Sequence, residues 1–91
     1  MNKSELIASF ANDAGLSPEE AAMMVNTFVG CMQGALVDDG RIEIRGFGSF
    51  KIKRYKGYKG RNPKTGASVE VRPKRLPFFR AGKEFKEMLN S

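Results

Sequence analysis

The chain opens on an apolar stripe. Leu6, Ile7, Phe10, Ala11 and Ala14 recur at helical spacing, which predicts a helix with one face turned inward. Asn2, followed three residues later by Glu5, has the form of a capping box. Gly15 suits the position just past the helix end. Ser17-Pro18-Glu19-Glu20 marks a second start: Ser17 caps, Pro18 takes the first helical position, and acids fill the first turn. This second helix should run to about Val37 and stop before Gly40, a length of roughly 30 Å. Ala21, Val25, Phe28, Met32 and Ala35 make one stripe along it, and Ala22, Met24, Val29, Cys31 and Leu36 widen the apolar surface. One short helix cannot cover that breadth. A helix apolar over most of its girth is buried on several sides, which predicts cover from both the sheet and a second copy of the chain. Val25, Phe28, Val29 and Met32 are its expected dimer contacts, and Cys31 reads as core.

The period then drops to two. Arg41-Ile42-Glu43-Ile44-Arg45 alternates as a strand does, Gly46-Phe47-Gly48 breaks it as a turn, and Ser49-Phe50-Lys51-Ile52-Lys53 alternates again. From Lys53 to Ser68 no aliphatic side chain exceeds Ala67, so this stretch adds nothing to a core. It contains the turn candidate Asn62-Pro63-Lys64-Thr65-Gly66. Alternation resumes at Val69-Glu70-Val71, and Leu76-Pro77-Phe78-Phe79 restores apolar content. The pattern predicts a long hairpin whose base packs on the body and whose tip near Pro63 projects into solvent. A two-stranded ribbon is marginal by itself, so residues 54–68 are expected to be mobile until something binds them. Pro73 and Pro77 suit edge positions of the returning strand. A short amphipathic helix from Gly82 to Leu89, anchored by Phe85, Met88 and Leu89, closes the chain.

The resulting fold class is α+β: two N-terminal helices, a three-stranded antiparallel sheet with a protruding β-hairpin arm, and a short C-terminal helix. Ninety-one residues suffice for one domain. Within it, residues 1–40 form a helical dimerisation base, 41–80 the sheet and arm, and 81–91 the last helix. A chain this small buries a modest share of its surface, so a partner subunit is the natural source of further core. Phe47, Phe50 and Phe79 are expected to join the dimer interface.

Charge changes the picture more than composition does. The chain carries sixteen Lys+Arg against ten Asp+Glu, for +6. Residues 1–40 hold one base and six acids, a net −5, whereas residues 41–80 hold thirteen bases and two acids, a net +11. Between Glu43 and Glu70 there is no acid, yet Arg45, Lys51, Lys53, Arg54, Lys56, Lys59, Arg61 and Lys64 all occur there. That asymmetry belongs to a protein that meets a polyanion, either nucleic acid or anionic membrane. A membrane-surface protein would carry its bases on an amphipathic helix. Here they lie on predicted strands and a Pro-Gly tip, which favours nucleic acid, with RNA as a secondary partner.

Several chemistries drop out. Histidine is absent and Cys31 is the sole cysteine, which excludes Ser-His-Asp and Cys-His catalysis, His-metal sites and an intramolecular disulfide. Glu19-Glu20 and Asp38-Asp39 sit near helix ends, where capping explains them better than acid–base work. Arg45-Gly46-Phe47-Gly48-Ser49-Phe50-Lys51-Ile52 begins like an RNP1 octamer, but its aromatics fall at positions 3 and 6, on opposite faces of a regular strand. No Walker A or complete dinucleotide fingerprint occurs. The expectation is a cytoplasmic protein that is not an enzyme and needs no cofactor or metal.

The sharpest chemical feature is Gly60-Arg61-Asn62-Pro63-Lys64-Thr65-Gly66 at the end of the basic arm. A ribbon of this kind can enter a DNA groove, and an apolar tip residue such as Pro can wedge between base steps. Pro63 could equally do no more than shape the turn.

Gly46-Phe47-Gly48-Ser49-Phe50, the Gly60–Gly66 tip, and Pro77-Phe78-Phe79-Arg80-Ala81-Gly82-Lys83 together resemble the HU/integration host factor family of bacterial nucleoid proteins. The resemblance spans the whole chain. It implies an intertwined dimer whose two arms reach round DNA in the minor groove, with Pro63 intercalating, and it implies a place at the nucleoid. Arg61 and Asn62 would flank the wedge, with Lys53 on the arm's path along the DNA backbone. Lys83 and Lys86 would contact flanking phosphates, and Lys3 would add a contact. Arg45, Arg54, Lys56, Lys59, Lys64, Arg72, Lys74 and Arg75 complete the expected DNA-binding set. DNA already bent, nicked or flexible should be preferred. Relatives often carry Arg where this chain has Tyr55 and Tyr58. Arg41–Arg45 looks more like the beta subunit of integration host factor, in which the positions of Glu43 and Arg45 help select sequence. Both a homodimer and a heterodimer with a paralogous subunit fit.

Overall fold

The computed structural model describes residues 1–91. Its elements are α1 (Lys3–Ala14), α2 (Pro18–Val37), β1 (Ile42–Ile44), β2 (Gly48–Tyr55), β3 (Tyr58–Arg61), β4 (Ser68–Val71), β5 (Lys74–Ala81) and α3 (Lys83–Leu89). They divide into two compact units, Met1–Ala35 and Leu36–Ser91.

The helix ends of the first unit follow from local chemistry. The Asn2 side chain accepts the Glu5 N–H at 2.8 Å, satisfying one of the donors a helix start leaves open. Gly15 ends α1 in the left-handed region at φ 67°, its N–H bonded to the Ala11 carbonyl. At the start of α2, Ser17 Oγ accepts from the Glu20 N–H at 3.2 Å and the Glu20 carboxylate accepts from the Ser17 N–H at 3.4 Å. That reciprocal pair is a full capping box.

Burial in this unit is sparse. Only Ala11 and Ala21 are buried. Val25, Met32 and Ala35 are half-buried, whereas Phe28 is 56% exposed and Met24 52%. Cys31, expected in the core, is exposed. Twelve residues of α1 have too little surface to surround a helix of twenty that is apolar on several sides.

In the second unit, β1, β2 and β5 form an antiparallel sheet in the order β1-β2-β5, and β3 and β4 form a separate two-stranded ladder. β2 pairs with β5 from Gly48↔Ala81 to Tyr55↔Lys74, and β3 pairs with β4 from Tyr58↔Val71 to Arg61↔Ser68. The hairpin is therefore present but not continuous. Lys56-Gly57 on one side and Arg72-Pro73 on the other interrupt it. Pro73, expected within the returning strand, lies in this break, where its missing N–H costs no ladder bond. Pro77 lies inside β5, opposite Ile52, on an edge strand.

Period-two alternation sorts the sheet into two faces. One carries Ile42, Phe50, Ile52, Pro77 and Phe79. There Phe50 stacks on Phe79 at 4.8 Å between ring centroids, Phe79 on Phe47 at 5.1 Å, and Phe47 on Phe85 of α3 at 5.1 Å. Contacts of this kind contribute about 0.5–1.5 kcal/mol each beyond area burial. The Gly82 N–H donates to the Phe47 carbonyl at 2.8 Å, tying the turn to the start of α3. Phe85 anchors α3 as expected, but Met88 and Leu89 do not: they are 73% and 67% exposed. A seven-residue helix turns one narrow face to the cluster, and Phe85 occupies it. No residue of this unit reaches full burial.

Candidate nucleic-acid interface

The second face of the sheet is basic. Cross-strand neighbours share a face, so the register places Ser49 with Arg80, Lys51 with Phe78, Lys53 with Leu76, and Tyr55 with Lys74. Lys53 Nζ lies 3.6 Å from the centroid of the Phe78 ring, and Lys51 Nζ lies 5.9 Å from it. Lys51 and Arg80 were not among the expected site residues. Counting back by twos from Lys53 along the strand would have found Lys51, but Arg80 needs the register.

The outer ladder continues the basic character. Lys59 faces Glu70 and Arg61 faces Ser68, while Tyr58 and Gly60 share the other side with Val71 and Val69. Lys56 and Arg72 lie unpaired in the break and are exposed. The tip is built by Asn62. Its side-chain oxygen accepts the Lys64 N–H at 2.9 Å, its carbonyl accepts the Gly66 N–H at 2.7 Å, and its own N–H donates to the Ala67 carbonyl at 2.9 Å. Gly66 supplies the positive φ of 70° that closes the turn. With Asn62 spent on the backbone, the groups left facing solvent at the tip are Arg61, Pro63 and Lys64, all exposed.

A shallow groove at the other end of the sheet is lined by Arg41, Glu43, Arg45, Arg80, Lys83 and Lys86, with the backbone of Gly46 and Gly82 between them. Five cations meet one carboxylate there. Arg41 holds Glu43 in an exposed ion pair at 2.8 Å. Lys83 and Lys86 thus join Arg45 and Glu43, and Arg41 and Arg80 are additions to the expected set. Lys3 is exposed at the first position of α1, in the other unit.

Two expected contacts are engaged elsewhere. Arg54 and Arg75 are cross-strand partners on the apolar side of the sheet, and both pair with Asp39. Arg75 also donates to the carbonyls of Leu36 at 3.3 Å and Val37 at 2.9 Å. The last turn of α2 contains no basic residue of its own, so Arg75 supplies the positive charge that a helix C-terminus favours. Asp39 adopts φ 60° to make the turn, a conformation Asp tolerates better than most residues.

Of the expected interface aromatics, Phe47, Phe50 and Phe79 form the stacked cluster already described. Phe47 remains 39% exposed and Val29 on α2 37%.

A protein-family model described as bacterial DNA-binding protein matches residues 1–90. Integration host factor subunit beta of Methylococcus capsulatus is 47% identical, with all of this chain and 97% of that protein aligned. DNA-binding protein HRm of Rhizobium meliloti is 43% identical, with 99% of this chain and all of that protein aligned. Among solved structures, an Anabaena HU–DNA cocrystal structure superposes with a TM-score of 0.87 at 34% identity, covering 98% of this chain and 97% of that one.

Proposed function

The chain belongs to the bacterial DNA-binding protein family that includes HU and the integration host factor subunits, and from that premise we propose an architectural role: it binds duplex DNA through its β-arm and bends it. The observation that carries this reading is the tip. Pro63 stands exposed on a turn closed by Asn62, between Arg61 and Lys64. The bases give affinity by releasing counterions from phosphates. Pro63 acts in the minor groove as a wedge, and the cost of unstacking, a few kcal/mol per step, is offset by the additional protein surface that the bent duplex meets. No bond is made or broken, so the activity is mechanical and the protein is not an enzyme.

The same reading takes the protein as a dimer at the nucleoid. Neither unit buries a large side chain, while Phe28, Val29 and Met24 on α2 stand open. A second copy, or a paralogous subunit, would cover them, and the two units would then act as one domain over residues 1–91. Lys53, Lys83, Lys86, Arg45 and Lys3 serve as phosphate contacts. Arg54 and Arg75 are assigned to the body of the protein instead. The alternative of an anionic membrane surface has less support, because the cations lie on strands and a tip rather than on an amphipathic helix.

The test is a gel shift of the purified chain alone on intact, nicked and bent duplexes, with its mass measured in solution. Dimer mass with tighter binding to nicked and bent DNA is the expected result. Failure to bind any duplex, or equal retention by anionic vesicles, overturns it.

A further inference from the structure

Lys51 and Lys53 are unlike the other cations of the second unit in what holds them. Neither forms an ion pair: the unit's carboxylate bridges go from Asp39 to Arg54 and Arg75 and from Glu43 to Arg41. Instead the two lysines flank one ring. Phe78 lies directly across the ladder from Lys51 and diagonally from Lys53, and the Lys53 ammonium sits over its face at 3.6 Å. A long side chain reaches a diagonal neighbour in this geometry, and an aromatic face attracts an ammonium without neutralising it. Lys53 is half-buried and the ring is half-buried beside it. Both charges thus lie on the basic face of the sheet outside any salt bridge, Lys53 seated on the ring at 3.6 Å and Lys51 at its margin at 5.9 Å.

We propose that Phe78 is a positioning residue for DNA binding: its ring orders the Lys51 and Lys53 ammonium groups so that they meet the DNA backbone as a fixed pair. An ion pair could order a lysine equally well, but it would cancel the charge that a phosphate needs and would have to break on binding. The ring leaves the charge whole. It also removes rotamer freedom before DNA arrives, so less ordering remains to be done in the complex. This inference rests on the DNA-binding reading above and adds to it a residue that touches no phosphate.

The experiment uses the full chain with Phe78→Leu, which removes the ring but keeps an apolar side chain, and Phe78→Tyr, which keeps it. Three quantities are read: the proton shifts of the Lys53 ε-methylene without DNA, duplex affinity as a function of salt, and urea unfolding. The parent and Phe78→Tyr should show Lys53 ε protons shifted upfield by the ring and share one salt slope. Phe78→Leu should lose the upfield shift and bind about fivefold more weakly at a nearly unchanged slope, because both lysines keep their charge. In a Lys51→Gln/Lys53→Gln background, Phe78→Leu should have no further effect on affinity, which a merely structural role would not produce. Equal affinities for parent and Phe78→Leu, or Phe78→Tyr as weak as Phe78→Leu, overturn the inference. An unshifted Lys53 in a parent that binds DNA normally overturns it alone. A parent that shows the shift but binds no duplex overturns the proposed function, and this inference with it.

Discussion

Arg75 reaches from β5 to Asp39 at 2.9 Å, joining the base of the arm to the turn that follows α2. The same guanidinium caps the α2 carbonyls, and Arg54 pairs with the other oxygen of Asp39. A single carboxylate thus gathers two cations that would otherwise add to the free charge of the sheet.

Asp39→Asn isolates that carboxylate, because Asn also tolerates positive φ. The pairs are exposed, so the variant should lose only about 0.5–1 kcal/mol of stability. The loss should shrink in about 1 M salt, where the screening length falls to about 3 Å. Urea unfolding at low and high salt checks both statements. A loss of equal size at both salts would mean that the turn geometry, not the charge, is what Asp39 supplies.

Pro63→Ala tests the wedge. The slope of log affinity against log salt counts neutralised phosphates, so it should stay nearly unchanged. The bend, measured by energy transfer between duplex ends, should shrink, and so should the preference for nicked DNA. Pro63→Gly serves as the control for a loosened turn. Full bending by Pro63→Ala would reduce Pro63 to a turn residue.

Phe28 reports on assembly. It is 56% exposed in the single chain, and an exposed position of this kind changes stability by about 0.5 kcal/mol or less when cut to Ala. Covered by a partner, the same substitution should cost about 3–5 kcal/mol. The unfolding midpoint of the parent should also rise with protein concentration. A midpoint constant over a hundredfold range in concentration, with a small Phe28→Ala effect, would show a monomer.

Gly48 and Gly57 separate the body from the arm. A Cβ on Gly48 would lie 2.6 Å from the Phe79 ring, so Gly48→Ala should destabilise the body by about 1–3 kcal/mol. A Cβ on Gly57 would lie 2.6 Å from the Val71 carbonyl and 2.8 Å from Pro73. Gly57→Ala should therefore leave global unfolding within about 0.5 kcal/mol of the parent but weaken the Tyr58–Val71 pairing, read by cross-strand nuclear Overhauser effects. If the two variants unfold alike, arm and body are one cooperative unit.

What the sequence made legible is what local chemistry decides. Asn2, Gly15 and Ser17 set helix ends through their own side chains or backbone freedom, and each lies where its spacing predicted. The tip was equally readable, because Asn62 and Gly66 close the turn within five residues. What depends on register was not. Arg54 and Lys53 are neighbours in a basic run, yet the pleat sends one toward Asp39 and the other toward Phe78. Nothing short of the β2–β5 pairing separates them. The outward turn of Cys31, Met88 and Leu89 has another source. Hydrophobicity states that a side chain favours burial, not whether one chain has enough surface to bury it.

The gap at Lys56-Gly57 and Arg72-Pro73 bears on how the hairpin comes apart. An unbroken ladder unzips from its tip, each opened pair loosening the next, and fraying at Arg61↔Ser68 could run down to the phenylalanines. Here the zipper has a stop. Opening of the four outer pairs ends at a segment that holds no ladder bonds, and the eight inner pairs begin afresh beyond it. Bonded positions alternate along an antiparallel pair, and the Asn62–Ala67 and Gly82–Phe47 bonds fix their phase. Backbone amides of Tyr58 and Gly60 should therefore exchange with solvent orders of magnitude faster than those of Lys51 and Lys53. The arm can melt and re-form many times while the platform that carries it stays closed.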